Sequence, residues 1–139
     1  MNEVDHSTEI YFEIKPYDID ASGHVNNAVY INWLEDLRFK LFRKYIRLND
    51  LIKDEIFLVV SSTVIKYKAP LFLFDKPKGT IKIEKYLKGI WYLSAVLESE
   101  NRITTVASQK CVLFDRRRNR MIKKNIYNVD RKQYEFHTN

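Results

Sequence analysis

An α+β domain, in which one long helix lies on an antiparallel sheet of about five strands, is predicted by three features of this 139-residue chain. One stretch, from about Ala28 to Tyr45, carries apolar residues at helical spacing. Later stretches rich in β-branched and aromatic residues are separated by short turn signals. The composition, 45% hydrophobic and 14% aromatic, supplies a core without disulfides or a structural metal. The length suits a single domain over residues 1–139, with its core at about 8–115 and a basic carboxyl-terminal extension over 116–139.

The first strand is expected over Thr8 to Lys15, where Ile10, Phe12 and Ile14 alternate with Tyr11, Glu13 and Lys15. Pro16 turns the chain, and the small, polar run from Asp18 to Asn27 reads as a loop. The helix follows, with Tyr30, Trp33, Leu34, Leu37, Leu41 and Tyr45 on one face, and ends before the Asn49-Asp50 turn signal. Four strands are expected at about 57–67, 79–88, 91–99 and 103–114, the last three joined by links short enough for antiparallel hairpins. In the third of them Trp91, Leu93, Ala95 and Leu97 occupy one face, while Tyr92 and Val96 make the other apolar too. The helix covers only one face, so a second subunit is expected to cover the other, in a homodimer or homotetramer.

Several function classes are disfavoured. The lone Cys111 has no disulfide partner, and His6, His24 and His137 lie too far apart for a ligand motif, so neither metal nor cofactor is expected. Met1 to Glu9 is polar and unlike a signal peptide, and no apolar run approaches the roughly 18 residues of a membrane span. A cytoplasmic protein with no membrane partner is the expectation. The net charge of +6 favours anionic partners, with much of the excess in Arg116, Arg117, Arg118, Arg120, Lys123 and Lys124, a run of the kind that ordinarily forms a solvated turn or tail.

The loop at Asp18-Ile19-Asp20-Ala21-Ser22-Gly23-His24-Val25-Asn26-Asn27 holds the densest polar chemistry. Its residues alone leave two readings open. Asp and Asn are common turn formers and helix caps, and Gly23 supplies an unusual backbone angle. Equally, Asn26 and Asn27 fall where a helix start exposes unpaired N–H groups, and a carboxylate just upstream is then equipped for acyl transfer to water.

The pattern Asp18-x-Asp20-x-x-Gly23-His24-Val25-Asn26-Asn27-x-x-Tyr30-x-x-Trp33-x-Glu35 resembles the signature of the 4-hydroxybenzoyl-CoA thioesterase branch of the hotdog superfamily, including its acyl-acyl-carrier-protein thioesterases. The order of a strand, a long helix and four strands agrees over residues 8 to about 115. The resemblance implies hydrolysis of an acyl-CoA or acyl-carrier-protein thioester, with Asp20 as nucleophile or general base. It implies that the backbone N–H of Asn27 polarises the thioester carbonyl, and that His24 orients or protonates a reacting group. Asp18, Ser22, Gly23 and Asn26 become supporting residues. Ser22 departs from the carrier-protein enzymes, which have Asn at this position. Glu35 matches the helix carboxylate of other hotdog thioesterases but lies two to three turns into the helix, so a structural role is expected.

Tyr30 and Trp33 are candidates to line an acyl pocket, although aromatics at helical spacing are more often core. Lys66, Lys68, Arg116, Arg117 and Arg118 are candidates to meet the phosphates of CoA or an acidic carrier protein. Cys111 lies in an apolar strand, where thiols are usually inert, and Ser61 and Ser62 lack a nucleophile elbow. Two competing readings are a basic nucleic-acid-binding module, from the pI of about 9.3 and the Lys66-Tyr67-Lys68 interleaving, and a hotdog subunit that binds acyl-CoA without turnover. Nucleic acid is the less expected partner because that reading leaves the loop unexplained. A hotdog dehydratase ranks below the thioesterase, since its usual His-x-x-x-x-Gly-Phe-Pro-Gly stretch is absent.

Overall fold

A computed structural model describes residues 6–123. Its strands are β1 (Ser7–Tyr11), β2 (Ile56–Tyr67), β3 (Lys78–Leu87), β4 (Ile90–Ser99), β5 (Arg102–Asp115) and β6 (Arg120–Ile122). Its helices are α1 (Asn27–Arg43) and α2 (Leu48–Lys53), and a single 3-10 turn spans Pro16–Asp18. The strands form one antiparallel sheet in the order β1-β3-β4-β5-β2, with β6 paired to the end of β5. The α+β class and the single long helix are as the sequence predicts.

The hairpins follow from turn chemistry. Lys88 and Gly89 have φ of 52° and 83°, and Glu100 and Asn101 have φ of 53° and 61°. Consecutive positive φ values give two-residue turns whose twist matches that of the flanking strands. Register shifts at Val60/Ser62, Ile83/Lys85 and Leu97/Glu98 add local twist, and the sheet curls toward α1.

The core lies between α1 and this sheet. Tyr30, Trp33, Leu34, Leu37, Leu41 and Phe42 are buried on the helix, facing Ile81, Ile83, Trp91, Leu93, Leu97 and Cys111 on the strands. A Cβ at Gly79 would come within 2.6 Å of the Phe12 ring, 2.8 Å of Leu97 and 2.9 Å of Leu37, so only glycine lets β3 pass this close under the helix.

Three differences from expectation have local causes. The first strand ends at Tyr11, because Phe12 donates its N–H to the Pro77 carbonyl outside the ladder while Phe12 and Ile14 still bury their side chains. Asn49 and Asp50 lie within α2, a short helix that the sequence pattern does not show, where an acid in the first turn suits the positive helix end. The sheet also runs past residue 115, because Arg116 to Asn119 form a turn and β6 folds back on β5. The outer face of β4, with Tyr92 and Val96, is half-buried in the single chain. Residues 1–5 and 124–139, including Lys124, His137 and most of the expected extension, lie outside the described residues.

Candidate active site

The loop between β1 and α1 is a tight reversal pinned by its apolar residues. Ile19 and Val25 pair as an isolated bridge, Asn26 donates its N–H to the Asp18 carbonyl, and Val25, 3% exposed, donates to the Leu71 carbonyl. Asp20 and Ser22 are held out at the exposed tip. The tip closes through Asp20 N–H to the His24 carbonyl and Gly23 N–H to the Asp20 carbonyl, both at 3.0 Å. Gly23 sits at φ +85° with open space around it, so a side chain there would meet no clash, only backbone strain of about 1 kcal/mol.

The closing limb runs straight into α1. The Asn26 side chain caps the helix by accepting the Ala28 N–H at 3.0 Å, and the Asn26 carbonyl takes the Val29 N–H. Among the described residues no acceptor takes the Asn27 N–H, which is left at the positive end of a 17-residue helix. Tyr67 at the end of β2 braces this point by donating its hydroxyl to the Asn27 carbonyl at 3.1 Å.

Three polar side chains meet at the tip. The Ser22 hydroxyl donates to Asp20 Oδ1 at 2.5 Å, the Ser22 N–H donates to the same oxygen at 2.9 Å, and Ser22 Oγ lies 3.3 Å from His24 Nδ1. The Ser22 hydroxyl bond, then its N–H and the neighbouring His24, hold the Asp20 carboxyl below its usual range. Asp20 is therefore ionised at neutral pH. Both bonds fall on Oδ1, and no described residue holds Oδ2. The His24 ring stands edge-on to Phe72 at 5.5 Å and 88°.

The other candidates divide. Asp18 accepts the Lys15 N–H at 2.8 Å and so fixes the 3-10 turn. Glu35 pairs with Arg38 at 2.8 Å, and the buried guanidinium also donates to Gln109 Oε1 at 3.0 Å. Tyr30 and Trp33 are buried, Tyr30 edge-on to Tyr67 at 78° and Trp33 stacked on Phe12, and Tyr30 borders a small void beneath the helix start with Leu34, Ile65, Ala95 and Thr105. Lys66 and Lys68 flank Tyr67 and are exposed at the loop's end of the sheet. Arg116, Arg117 and Arg118 are at the opposite end of the same protomer. Tyr67 pairs with Thr105 and Ile56 with Asp115, ten residues or roughly 33 Å along β5. There Arg117 pairs with Glu55 and Arg118 with Asp115, both at 2.8 Å.

Cys111 is fully buried and its thiol is pushed up to about 12 by desolvation, which leaves it inert at neutral pH. Among the described residues no group of His, Cys, Asp or Glu could hold a metal, and no helix is long and apolar enough to cross a membrane. Tyr67, Leu71 and Phe72 contribute to the site without a sequence signal, because their roles depend on contacts 40 or more residues away.

The sequence model of the thioesterase-like superfamily matches residues 14–131. The chain belongs to this superfamily. As a member it is an enzyme of thioester hydrolysis, and its fold is the hotdog fold of that family. No curated protein sequence matches the chain. Among solved structures, the thioesterase is similar to a DHNA-CoA thioesterase from Staphylococcus aureus, with a TM-score of 0.77 and 22% identity over 88% of this chain and 82% of that one. It is also similar to the probable thioesterase YbaW from Escherichia coli, with a TM-score of 0.71 and 24% identity over 84% and 88% of the two chains. A thioesterase from Thermus thermophilus complexed with coenzyme A and Zn aligns with a TM-score of 0.74 and 17% identity over 85% of each chain.

Proposed function

We propose that this thioesterase hydrolyses acyl-CoA in the cytoplasm, with Asp20 as its catalytic carboxylate and the Asn27 N–H as the group that polarises the thioester carbonyl. The observation that carries this reading is the pairing of an ionised, exposed carboxylate with an unoccupied N–H at the head of α1 on one pinned loop. With Asp20 as general base, a water gives its proton to the carboxylate as its oxygen attacks the carbonyl carbon. The carbonyl oxygen gathers negative charge against the Asn27 N–H, the C–S bond breaks, and the thiolate takes a proton from His24. With Asp20 as nucleophile, an acyl-carboxylate anhydride forms first and water cleaves it. Acyl carrier protein is the alternative donor. Release of free thiol from a panel of short-chain to long-chain acyl-CoAs and one aromatic acyl-CoA tests the reading: turnover is expected, and saturable binding without thiol release would favour a non-catalytic subunit.

A homodimer through β2 belongs to the same proposal. β2 is a 12-residue edge strand with Val59, Val64 and Tyr67 all more than a third exposed, and long apolar edges of this kind are normally covered. Antiparallel pairing of two β2 strands about their middles would set residue 56 of one copy beside residue 67 of the other. The Arg116 to Arg118 turn of one copy would then approach the Asp20 loop of the other, where CoA phosphates need cations. Val64→Lys is expected to shift the sedimenting species from dimer toward monomer, and an unchanged mass would place any interface elsewhere.

A further inference from the structure

We infer that Ser22 is a positioning residue that links Asp20 to His24 through its hydroxyl and thereby fixes which ring nitrogen of His24 is presented for proton transfer. This rests on the thioesterase reading of the same loop, in which Ser22 touches neither substrate nor reacting atoms.

The geometry permits one consistent arrangement of protons. The Ser22 hydroxyl has a single hydrogen, and it goes to Asp20 Oδ1 at 2.5 Å, because an ionised carboxylate only accepts. The Ser22 oxygen then offers a lone pair to His24 Nδ1 at 3.3 Å, which requires the hydrogen on Nδ1. Nε2 is thus unprotonated in the neutral ring and carries the transferable proton in the cationic ring. Phe72, edge-on at 5.5 Å, limits rotation of the ring away from this contact.

The surrounding charges leave the chain of bonds intact. Asp18 is engaged by the Lys15 N–H at 2.8 Å, and Asp75, on the segment that carries Phe72, takes the Phe72 N–H at 2.8 Å. Asp20 is the charged neighbour whose proximity to His24 is felt at its own carboxyl. Both bonds fall on Oδ1 and leave Oδ2 without a partner among the described residues, so the same hydroxyl decides which carboxylate oxygen is available to attack or to accept a proton. A simple turn-forming role accounts for the Ser22 N–H bond but predicts no dependence of the His24 tautomer on the hydroxyl.

The test uses the full chain and needs no substrate for its first readout. Nitrogen-15 NMR of the histidine side chains, with His24 assigned through a His24→Gln variant, is compared for wild type, Ser22→Ala and Ser22→Thr. The wild type is expected in the Nδ1–H tautomer at mildly alkaline pH, Ser22→Thr to keep it, and Ser22→Ala to lose it. In the kcat/KM profile, Ser22→Ala is expected to move the acid limb to higher pH, because Asp20 loses its strongest stabilising bond, and to lower kcat roughly tenfold. An Nε2–H tautomer in the wild type, or an identical tautomer in Ser22→Ala, overturns the linkage whether or not the protein hydrolyses thioesters. A tautomer that follows the hydroxyl in a protein inactive on every thioester supports the linkage and instead defeats the hydrolytic reading.

Discussion

Asp20→Asn is expected to reduce thioester hydrolysis by at least about a hundredfold while leaving the fold intact, the scale of losing a catalytic acid–base or nucleophilic group. Asparagine keeps the side-chain shape and can still accept from the Ser22 hydroxyl and N–H, so the reversal at Ile19 and Val25 should persist. The negative charge and the proton-accepting oxygen are lost. The native carboxyl is held below its usual range, and activity needs its ionised form. The wild-type acid limb attributable to Asp20 should therefore lie below the ordinary aspartate value of about 3.9, with activity falling as pH drops through it. Circular dichroism and an unchanged urea midpoint would separate a catalytic defect from unfolding.

Phe42→Ala is expected to produce the largest loss of stability, about 3–5 kcal/mol, because it removes a fully buried ring and leaves a cavity that its neighbours fill only in part. Phe42 lies near the carboxyl end of α1 and stands edge-on to Trp91 at 5.5 Å, so both the helix and β4 lose packing. A fall in the melting temperature of roughly 10–20 °C is the corresponding observable. The site is at the other end of the 17-residue helix, so turnover per folded molecule should change little at low temperature. A loss below about 1 kcal/mol would mean that the end of α1 repacks without Phe42.

The parts of the fold legible in the sequence are those written as periodic apolar burial. Tyr30, Trp33, Leu34, Leu37 and Leu41 fall on the helix stripe and are all buried, and Trp91, Leu93, Ala95 and Leu97 form the inward face of β4. Short elements escaped because three residues of β6 or six of α2 carry too few repeats to show a period. Arg38 interrupts the helix stripe as a charge, yet it is buried, because Gln109, 71 positions away, supplies its acceptor. Pairings of that separation leave no local mark.

The candidate site was legible as a motif but not as an arrangement. The spacing of Asp20, His24 and Asn27 located the loop, and the structure adds the bridge of Ile19 to Val25, the brace from Tyr67 and the Ser22 contacts. The run of arginines had two open readings, a solvated turn or a phosphate site. Within one chain, Arg117 and Arg118 hold Glu55 and Asp115 at the end of the sheet remote from Asp20.

The most direct test of Asp20 as the catalytic carboxylate is the ratio of kcat/KM for wild type and Asp20→Asn, measured by free-thiol release on the best acyl-CoA of the panel. Steady turnover by the wild type and a loss of at least about a hundredfold in the variant are expected. Equal rates in the two proteins, with both folded, would contradict this and remove Asp20 from the chemistry.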